Sequence, residues 1–455
     1  MPTYRIVTLG CKLNQSDSAG LETRLRALGL TRAPAATLEG GAGRGDAPEP
    51  AADVVVLNTC TVTGGADREA RQIARRLRRA NPAALLLATG CYAERDAEEL
   101  RSAAEIDHVV GLRDQAGQIV RLVGEFLADR RTEAPREIGL LGAFGATAAC
   151  DPGPDAADRT RVYLKVQDGC DLRCSYCIIP AVRGGSRSVS PGEILLEIGL
   201  LVERGYREIV LTGVNTGDYG KDLDPPLRLR HLLEQAVRVP GLGRLRLNSL
   251  EPKTVTPDLA DFLADCGGRV APHIQIPLQS GCDTVLAQMR RPYRTAEYAG
   301  VVEALRRRLP SIGLGADVIV GFPGETDEEF EATFRFISAS PLNYLHVFSY
   351  SSRPGTPAAT LPGRVPPPAV RERSSRLRSL GSDLSLRFRH SQIGRRLPVL
   401  TLRQTRRDGR LRALSDNFID LGLDLAGRPG PPLYNQILEA RITEATESDT
   451  LAAFA

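Results

Sequence analysis

Long apolar segments are absent from this chain of 455 residues. The longest apolar runs, "VVVL" at 54–57 and "ALLLA" at 84–88, are far shorter than the roughly 20 residues that a membrane-spanning helix needs. The opening residues, "MPTYRIVTLG", contain no apolar stretch of the kind found in signal peptides. We therefore expect a cytoplasmic protein that makes no use of a membrane.

A strong net charge is also lacking, since the formal value is only +4. This excludes a chain that binds nucleic acid simply by being basic throughout. The charge is uneven, however: lysine occurs four times, whereas 14 arginines stand against three acidic residues between Arg364 and Arg412. Such a segment is typical either of a surface that binds a polyanion or of a solvated helix in an arginine-rich protein, and charge alone favours neither.

The first third of the chain alternates between strand and helix patterns. Strands are predicted at 4–10, 53–59, 84–90 and 106–111. Helices are predicted after the first strand, with Ser16 as the cap, and at 66–80. A Gly/Pro/Ala-rich loop is predicted at 38–53. Repeated strand–helix–strand order predicts an α/β domain with a parallel sheet and helices on both faces.

After a second linker, predicted at 142–158, the alternation restarts. Six further strands are predicted at 162–167, 208–212, 244–249, 273–278, 315–320 and 344–350. Six strand–helix units are too few for an eight-stranded barrel, so we expect an open, partial (βα)6 barrel. The last ~60 residues contain short strand patterns separated by turn residues, which predicts a small β-barrel.

Nine cysteines in a cytoplasmic chain indicate metal ligands or redox groups rather than a disulfide framework. Cys11, Cys60 and Cys91 each lie just past the carboxyl end of one of the first three predicted strands. Those ends share one edge of a parallel sheet, where ligand sites form. The topology thus predicts a shared metal site, although a free cysteine is more often a small buried apolar residue.

The second group, Cys170, Cys174 and Cys177, has the spacing C-x3-C-x2-C within "DGCDLRCSYC". Thiolates select zinc or iron–sulfur clusters. A closed zinc site needs a fourth ligand, and Cys150, Cys266 or Cys282 remain open as candidates. The position of the loop, at the top of the predicted barrel, favours a catalytic [4Fe–4S] cluster with one iron left open.

The string "CDLRCSYC" resembles the signature of radical S-adenosylmethionine (SAM) enzymes, and the resemblance implies that Tyr176, between its last two cysteines, contacts SAM. In that family the open iron binds SAM, which is then cleaved to a deoxyadenosyl radical. "LTGVN" at 211–215 resembles the family strand that contacts the SAM amino group, which implies that Gly213 and Asn215 bind SAM. "ADVIVGFPGET" at 316–326 resembles the strand beside adenine and implicates Gly321, although Gly321 and Gly324 are also typical of a simple turn.

The whole chain is similar to the radical SAM methylthiotransferases. The resemblance implies a flavodoxin-like domain at 1–145, a radical SAM domain at 156–388 and an RNA-binding TRAM domain at 390–455. It also implies a second [4Fe–4S] cluster on Cys11, Cys60 and Cys91, with Lys12 and Asn14 beside it. Cys282 stands where the family usually has serine, and we interpret it as structural. An electron donor such as flavodoxin or ferredoxin is implied.

Three branches of that family differ in substrate, and "TLGCKLNQSDS" at 8–18 most resembles the branch that methylthiolates C2 of threonylcarbamoyladenosine beside the tRNA anticodon. The alternatives are isopentenyladenosine in tRNA, an aspartate of a ribosomal protein, or a non-catalytic iron–sulfur or zinc protein that binds RNA. The chemistry implied by the family uses two SAM molecules and requires both clusters to face one cavity. Six arginines of the helix at 66–80 are candidates for an RNA phosphate clamp: Arg68, Arg71, Arg75, Arg76, Arg78 and Arg79.

Overall fold

The computed structural model describes residues 1–34, 51–130, 160–406, 408–425 and 433–454. These residues form two compact units. The first contains residues 1–34, 51–130 and Ile178–Gly184, and the second contains the remaining described residues from 160 onward. The predicted linker at 142–158, most of the loop at 38–53, and Cys150 lie outside the described residues.

The first unit is an α/β layer structure around a parallel sheet of five strands in the order β2-β1-β3-β4-β5. Its strands are β1 Thr3–Thr8, β2 Thr31–Arg32, β3 Val54–Thr59, β4 Leu85–Gly90 and β5 His108–Val109. Its helices are α1 Lys12–Ala27, α2 Gly64–Ala80, α3 Cys91–Arg95, α4 Ala97–Ala104, α5 Gln115–Asp129 and α6 Ile179–Arg183. Strands β3 and β4 are buried throughout because helices cover both faces, which explains their continuous apolar runs. The predicted flavodoxin-like fold is confirmed.

Helix α1 shows one local error of the sequence reasoning. Ser16 does not cap it: the helix begins at Lys12, with Cys11 in the cap position, and Ser16 is buried within the helix. The polar residues after the strand indicated a later start. They are buried instead because they bond to the neighbouring strand; Asn58 Nδ2, for example, donates to Ser18 Oγ at 2.9 Å.

The second unit begins with six parallel strands that follow chain order. They are β6 Arg161–Lys165, β9 Glu208–Thr212, β10 Arg244–Leu247, β11 His273–Gln275, β12 Gly313–Val320 and β13 Tyr344–Ser349, with a short pair β7 Gln167–Asp168 and β8 Arg187–Ser188 beside them. Two three-stranded sheets, β10-β9-β6 and β11-β12-β13, are joined by a bridge between Leu245 and Val270. The intervening helices are α7 Pro191–Glu203, α8 Leu229–Ala236, α9 Pro257–Asp265, α10 Asp283–Gln288, α11 Thr295–Arg308 and α12 Asp327–Ala339. The predicted open (βα)6 barrel is confirmed.

The second unit ends with a long helix and a closed five-stranded barrel. Helix α13 spans Pro367–His390. The barrel strands are β14 Arg396–Thr405, β15 Leu411–Ser415, β16 Asp420–Asp424, β17 Ile437–Ala445 and β18 Thr450–Phe454, in the order β14-β15-β16-β18-β17. Its core is the inward face of alternating apolar residues, as the sequence predicts for a TRAM-like barrel. In the described part of the chain, no helix combines the length and apolar character that a bilayer crossing demands.

Several arginines of the basic segment hold the second unit together. Arg373, on α13, is buried and pairs with Glu325 at 2.7 Å and Asp327 at 2.6 Å. Arg389 donates to the carbonyl oxygens of Thr446 and Asp449 in the small barrel at 2.6 and 2.8 Å. The basic segment is therefore partly structural, which the charge count alone left open.

A buried ion cluster joins the open barrel to the small one. Glu208, fully buried, accepts from Arg244 Nε at 2.5 Å and Arg246 Nε at 3.0 Å. The same guanidinium groups donate to the Leu414 and Ser415 carbonyls. Burial alone would raise the pKa of Glu208, but the two arginines outweigh it and hold the pKa well below its usual range.

Glu208→Gln is expected to lower the free energy of unfolding of the second unit by about 3–5 kcal/mol, because two buried guanidinium groups lose their counter-charge. Because the folded-state pKa is depressed, the contribution of Glu208 is present above the usual glutamate pKa and is lost as pH falls through the folded value. Denaturant unfolding at neutral and acidic pH measures both effects. The exposed Glu303→Gln, on α11 of the same unit, is the matched control. Equal stability of the two variants at neutral pH would contradict this role of Glu208.

Candidate active site

Three neighbouring strands of the first unit place Cys11, Cys60 and Cys91 at one edge of the sheet. Cys11 precedes α1 three residues after the end of β1, Cys60 directly follows β3, and Cys91 is the first residue of α3 after β4. Because β1, β3 and β4 are adjacent and parallel, their carboxyl ends meet. The Cys11 and Cys60 thiols are near enough to influence the Cys91 thiol electrostatically.

Glycines set the sharp turns from strand to cysteine. Gly10 and Gly90 have φ angles of +98° and +96°, which side chains of L-residues strain to adopt. A Cβ at Gly10 would lie 2.6 Å from Cys60 Cβ, and one at Gly90 would lie 2.4 Å from the carbonyl oxygen of Thr59. The two Gly-Cys pairs therefore allow the backbones to approach closely enough to bring the thiols to one edge.

The surroundings of these thiols fit an iron–sulfur cluster. Cys60 and Cys91 are buried, whereas Cys11 is exposed at the open side. Burial raises the pKa of the Cys91 thiol to about 12, while the nearby Arg183 guanidinium lowers it. Soft sulfur donors, two of them buried, with an adjacent cation match the needs of a cluster held by thiolates. Across the described ranges, no three Cys, His, Asp or Glu side chains are arranged to hold a single metal ion.

Two further residues surround the first cysteine group. Asn14, predicted to lie beside the group, is fully buried and donates to the carbonyl oxygens of Leu9 and Thr59 at 2.8 and 2.9 Å. Arg183 was not predicted: its Nε donates to Cys91 Sγ at 3.2 Å and its Nη2 to Asn14 Oδ1 at 2.7 Å. Lys12 is half-buried in the first turn of α1, and its role remains a prediction.

The second cysteine group lies in the second unit, on the loop after β7. Cys170 and Cys174 are buried and Cys177 is half-buried. Burial raises the pKa of the Cys170 thiol to about 11. Arg291 Nη1 donates to Cys174 Sγ at 3.0 Å, and the same guanidinium pairs with Glu251. Thiols in this setting again fit a cluster held by thiolates.

Tyr176 anchors this cysteine loop in an apolar cluster. Its ring is partly buried against side chains from the α10 region, from the segment after β12 and from the short 3-10 turn at Pro357–Thr360: Val285, Met289, Phe322 and Ala358. The neighbouring Ser175 is tied down as well, because its Oγ donates to the Gln288 carbonyl at 2.8 Å. The structure thus gives Tyr176 a packing role, and its contact with SAM remains a prediction.

A cavity of about 370 Å³ lies against the cysteine loop, and Asn215 lines it together with Asp171, Leu172 and Glu251. The backbone N–H of Asn215 donates to Gln167 Oε1 at 2.9 Å and its Nδ2 to Asp218 Oδ2 at 2.5 Å. Its buried Oδ1 has no partner among the residues that the structure describes. A buried acceptor without a partner is costly, so a donor such as an ammonium group of a ligand fits here.

Comparison with known proteins agrees with this arrangement. The model of the radical SAM superfamily matches residues 164–337, and that of the uncharacterized protein family UPF0004 matches residues 3–111. The threonylcarbamoyladenosine tRNA methylthiotransferase MtaB of Bacillus subtilis is 36% identical over 423 residues, which is 92% of this chain and 90% of the relative. The tRNA-2-methylthio-N(6)-dimethylallyladenosine synthase of Paenarthrobacter aurescens is 35% identical over 97% of this chain and 84% of the relative.

The chain belongs to the radical SAM methylthiotransferases. Membership implies SAM and a [4Fe–4S] cluster as cofactors. Among solved structures, the radical SAM methyltransferase TsrM of Kitasatospora setae, with cobalamin and a [4Fe-4S] cluster bound, has a TM-score of 0.57 at 18% identity. The match covers 79% of this chain and 74% of that chain, and at this identity it shows the shared fold alone.

Gly213 and Gly321, the two glycines predicted to bind SAM in this methylthiotransferase, have different surroundings. A Cβ at Gly213 would lie 2.7 Å from Gln167 Oε1, so a larger residue there would displace the Gln167 side chain that bonds to the Asn215 N–H. Gly321 has a φ of +75°, donates its N–H to Glu325 Oε2 at 2.8 Å, and is not among the residues that line the 370 Å³ cavity. The φ angle agrees with the turn that the sequence also indicated at Gly321. Gly213 does not line this cavity either, and SAM contact by both glycines remains a prediction.

The arginines of α2 are less available than the sequence indicated. Asp67 and Glu69 are the only acidic residues of the helix Gly64–Ala80 itself, yet the arginines find partners on other elements. Arg71 donates to Tyr92 Oη at 2.6 Å and pairs with Glu99 at 2.7 Å, and Arg78 pairs with Asp107 at 2.6 Å. The exposed arginines of the helix are Arg68, Arg75, Arg76 and Arg79, and of these Arg75 donates through Nε to the Ala103 carbonyl at 2.8 Å.

The remaining described cysteines are engaged in their own helix ends. Cys266 follows α9 and its Sγ donates to the Leu263 carbonyl at 3.3 Å. Cys282 precedes α10, and its Sγ lies 3.0 Å from Thr284 Oγ1. These contacts agree with a structural role for Cys282 in the methylthiotransferase.

Proposed function

We propose that this methylthiotransferase acts on tRNA and attaches a methylthio group to C2 of N6-threonylcarbamoyladenosine at position 37, beside the anticodon. The resemblance of residues 8–18 supports this branch, because Lys12 and Leu13 stand where the isopentenyladenosine branch tends to have Gln-Met. The MtaB relatives of Bacillus subtilis and Aquifex aeolicus, at 36% and 34% identity, support it as well.

The observation that carries a methylthio transfer is the presence of two groups of three cysteines, one in each compact unit. Cys170, Cys174 and Cys177 would hold the cluster of the radical SAM superfamily, which with SAM supplies one-electron cleavage of the sulfonium. Cys11, Cys60 and Cys91 would hold a second [4Fe–4S] cluster, which supplies the site for the sulfur that is transferred.

The protein's own groups bind and orient the SAM. The Asn215 Oδ1 acceptor, which lacks a partner in the described chain, would receive an N–H from the SAM ammonium group. Asp218 and Gln167 fix the Asn215 side chain and backbone, so the acceptor is held in place before SAM arrives. Glu251 lines the cavity and fixes Arg291 against Cys174.

The tRNA would be held through phosphate contacts and single-stranded bases. The exposed arginines of α2, such as Arg68 and Arg79, supply the positive charge. A small closed β-barrel suits an anticodon loop, whose unpaired bases can be splayed out and bound. A flavodoxin or ferredoxin as electron donor and a cytoplasmic location remain predictions.

Deleting the gene for this chain is expected to remove 2-methylthio-N6-threonylcarbamoyladenosine from tRNA, with the unmethylthiolated nucleoside accumulating in its place. Mass spectrometry of digested bulk tRNA measures both nucleosides. Complementation with the wild-type chain restores the modification, whereas a chain with Cys174→Ala does not. Persistence of the methylthiolated nucleoside at normal levels would show that the branch assignment is wrong.

The dimethylallyladenosine branch is the second candidate, because its curated members are 34–36% identical to this chain, as close as the MtaB proteins. The same tRNA digest decides between them, since loss of the 2-methylthio-isopentenyl nucleoside alone would assign that branch. Iron and acid-labile sulfide are expected at two clusters per chain after anaerobic reconstitution. Bound zinc without sulfide would instead indicate the non-catalytic RNA-binding alternative.

A further inference from the structure

Arg183 lies at the end of helix α6 and is buried in the first unit, only 4% exposed. Among the contacts that the structure describes, its guanidinium Nε donates to Cys91 Sγ at 3.2 Å, and its Nη2 donates to Asn14 Oδ1 at 2.7 Å and to Asp17 Oδ2 at 3.1 Å. The Asn14 side chain is itself held by hydrogen bonds to two backbone carbonyl groups. The Arg183 guanidinium, which bonds to Asn14, is therefore held in one orientation. One N–H group of the Arg183 guanidinium therefore points at the sulfur atom of Cys91.

A purely structural role explains this arrangement poorly. Moving a guanidinium out of water has an effective penalty of several kcal/mol, and well-packed apolar residues often stabilise a fold as well or better. The Asp17 carboxylate, itself 4% exposed, already balances the charge of Arg183 in the first unit. A donor directed at sulfur gains most when that sulfur is a thiolate bound to a cluster, because hydrogen bonds to charged acceptors are the strong ones.

The same combination recurs in the second unit on an unrelated fold. Arg291 is buried and donates to Cys174 Sγ at 3.0 Å, pairs with the Glu251 carboxylate, and donates through Nε to Tyr293 Oη at 3.1 Å. Each cysteine group thus has one buried arginine shared between a thiol and a carboxylate. A flavodoxin-like sheet and an open barrel share no element that would impose this pattern, so we associate it with the cysteines.

We propose that Arg183 is a positioning residue that holds Cys91 in place and raises the reduction potential of the second cluster. This inference rests on the proposed binding of that cluster by Cys11, Cys60 and Cys91. Hydrogen bonds to the sulfurs and nearby charge set the potential of an iron–sulfur cluster. A cation beside Cys91 favours the more negative, reduced state, whereas the Asp17 carboxylate that pairs with the same guanidinium opposes it.

The test uses the full chain with Cys170, Cys174 and Cys177 replaced by alanine, so that only the first cysteine group can hold a cluster. After anaerobic reconstitution, redox titration followed by electron paramagnetic resonance gives the midpoint potential and the spectrum of the reduced cluster. Arg183→Met in this background is expected to shift the potential to a more negative value and to alter the spectrum. Asp17→Asn is expected to shift it in the opposite direction.

Arg291→Met in the same background is the matched control, since it removes an equally buried arginine and should leave the remaining cluster unchanged. Arg183→Lys keeps the positive charge but loses the planar set of guanidinium N–H donors. Compared with Arg183→Met, it is therefore expected to restore the midpoint potential in part, while the spectrum of the reduced cluster stays altered. If Arg183→Met fails to fold, the midpoint potentials of Arg183→Lys and Asp17→Asn test the proposal instead.

Potentials and spectra equal to those of the parent in these Arg183 and Asp17 variants would overturn the proposal while leaving the second cluster intact. Failure of the parent itself to bind iron and sulfide on the first cysteine group would overturn the second cluster, and this inference with it. The iron content of the parent therefore distinguishes the two failures.

Discussion

Alanine in place of Cys174 is expected to abolish reductive cleavage of SAM to the detection limit, while the first cysteine group still binds its cluster. Cys174 is buried, and its Sγ receives the Arg291 donor, so no other thiol can take its place without rebuilding the loop. Liquid chromatography of 5′-deoxyadenosine, formed with dithionite as reductant, measures the loss. Iron and sulfide per chain should fall by half.

Cys282→Ala is the control for this substitution, because Cys282 is a half-buried cysteine of the same unit that contacts Thr284 and forms the start of α10. It is expected to retain the SAM cleavage and iron content of the wild-type chain. Unchanged turnover in Cys174→Ala, or loss of both clusters at once, would refute the role given to the cysteine loop.

The second large effect is expected for Cys91→Ala. The variant should keep SAM cleavage within a few-fold of the wild-type rate but form no methylthiolated tRNA, because the sulfur-transfer site would be lost while the second unit stays intact. Of the three cysteines of the first group, Cys91 is the most suitable one to substitute, because it is buried and its Sγ lies 3.2 Å from Arg183 Nε. Mass spectrometry of the 5′-deoxyadenosine and of the tRNA nucleosides separates the two steps.

Cys266→Ala serves as the control for Cys91→Ala, since the Cys266 thiol contacts only the end of its own helix in the contacts that the structure describes. It should leave both products unchanged. Methylthiolated tRNA formed by Cys91→Ala at the wild-type level would exclude Cys91 from the transfer site. Loss of SAM cleavage in the same variant would show that the two activities are not separable by unit.

Continuous apolar runs in the sequence predicted the strands that are buried along their whole length. Strands β3 and β4 are covered on both faces, so their apolar runs are continuous and their bounds match within two residues. Strands β9 and β10 of the open barrel are buried throughout in the same way, whereas β6 alternates and β13 is partly exposed. Helix α1 was placed correctly but its start was not, because Gly10 turns the chain early and buried polar contacts replace the expected cap at Ser16.

The cysteines were found because their position after strands is a property of local sequence, and parallel topology then gathers strand ends at one edge. The partners of the arginines were not found, because they are distant in sequence. Arg183 meets Asn14 from 169 residues away, and Arg71 meets Glu99 from 28. No local pattern separates such a buried, paired arginine from an exposed one such as Arg68.

Local spacing and order along the chain were therefore enough to predict the fold class, the two groups of cysteines and the resemblance to the family. The folded structure shows which charged side chains are buried in pairs and which are exposed. It assigned Arg71 and Arg78 to internal pairs, left Asn215 with an open acceptor, and placed Arg183 and Arg291 against thiols. The physical reason is that burial and pairing depend on contacts between distant segments, which short-range patterns do not encode.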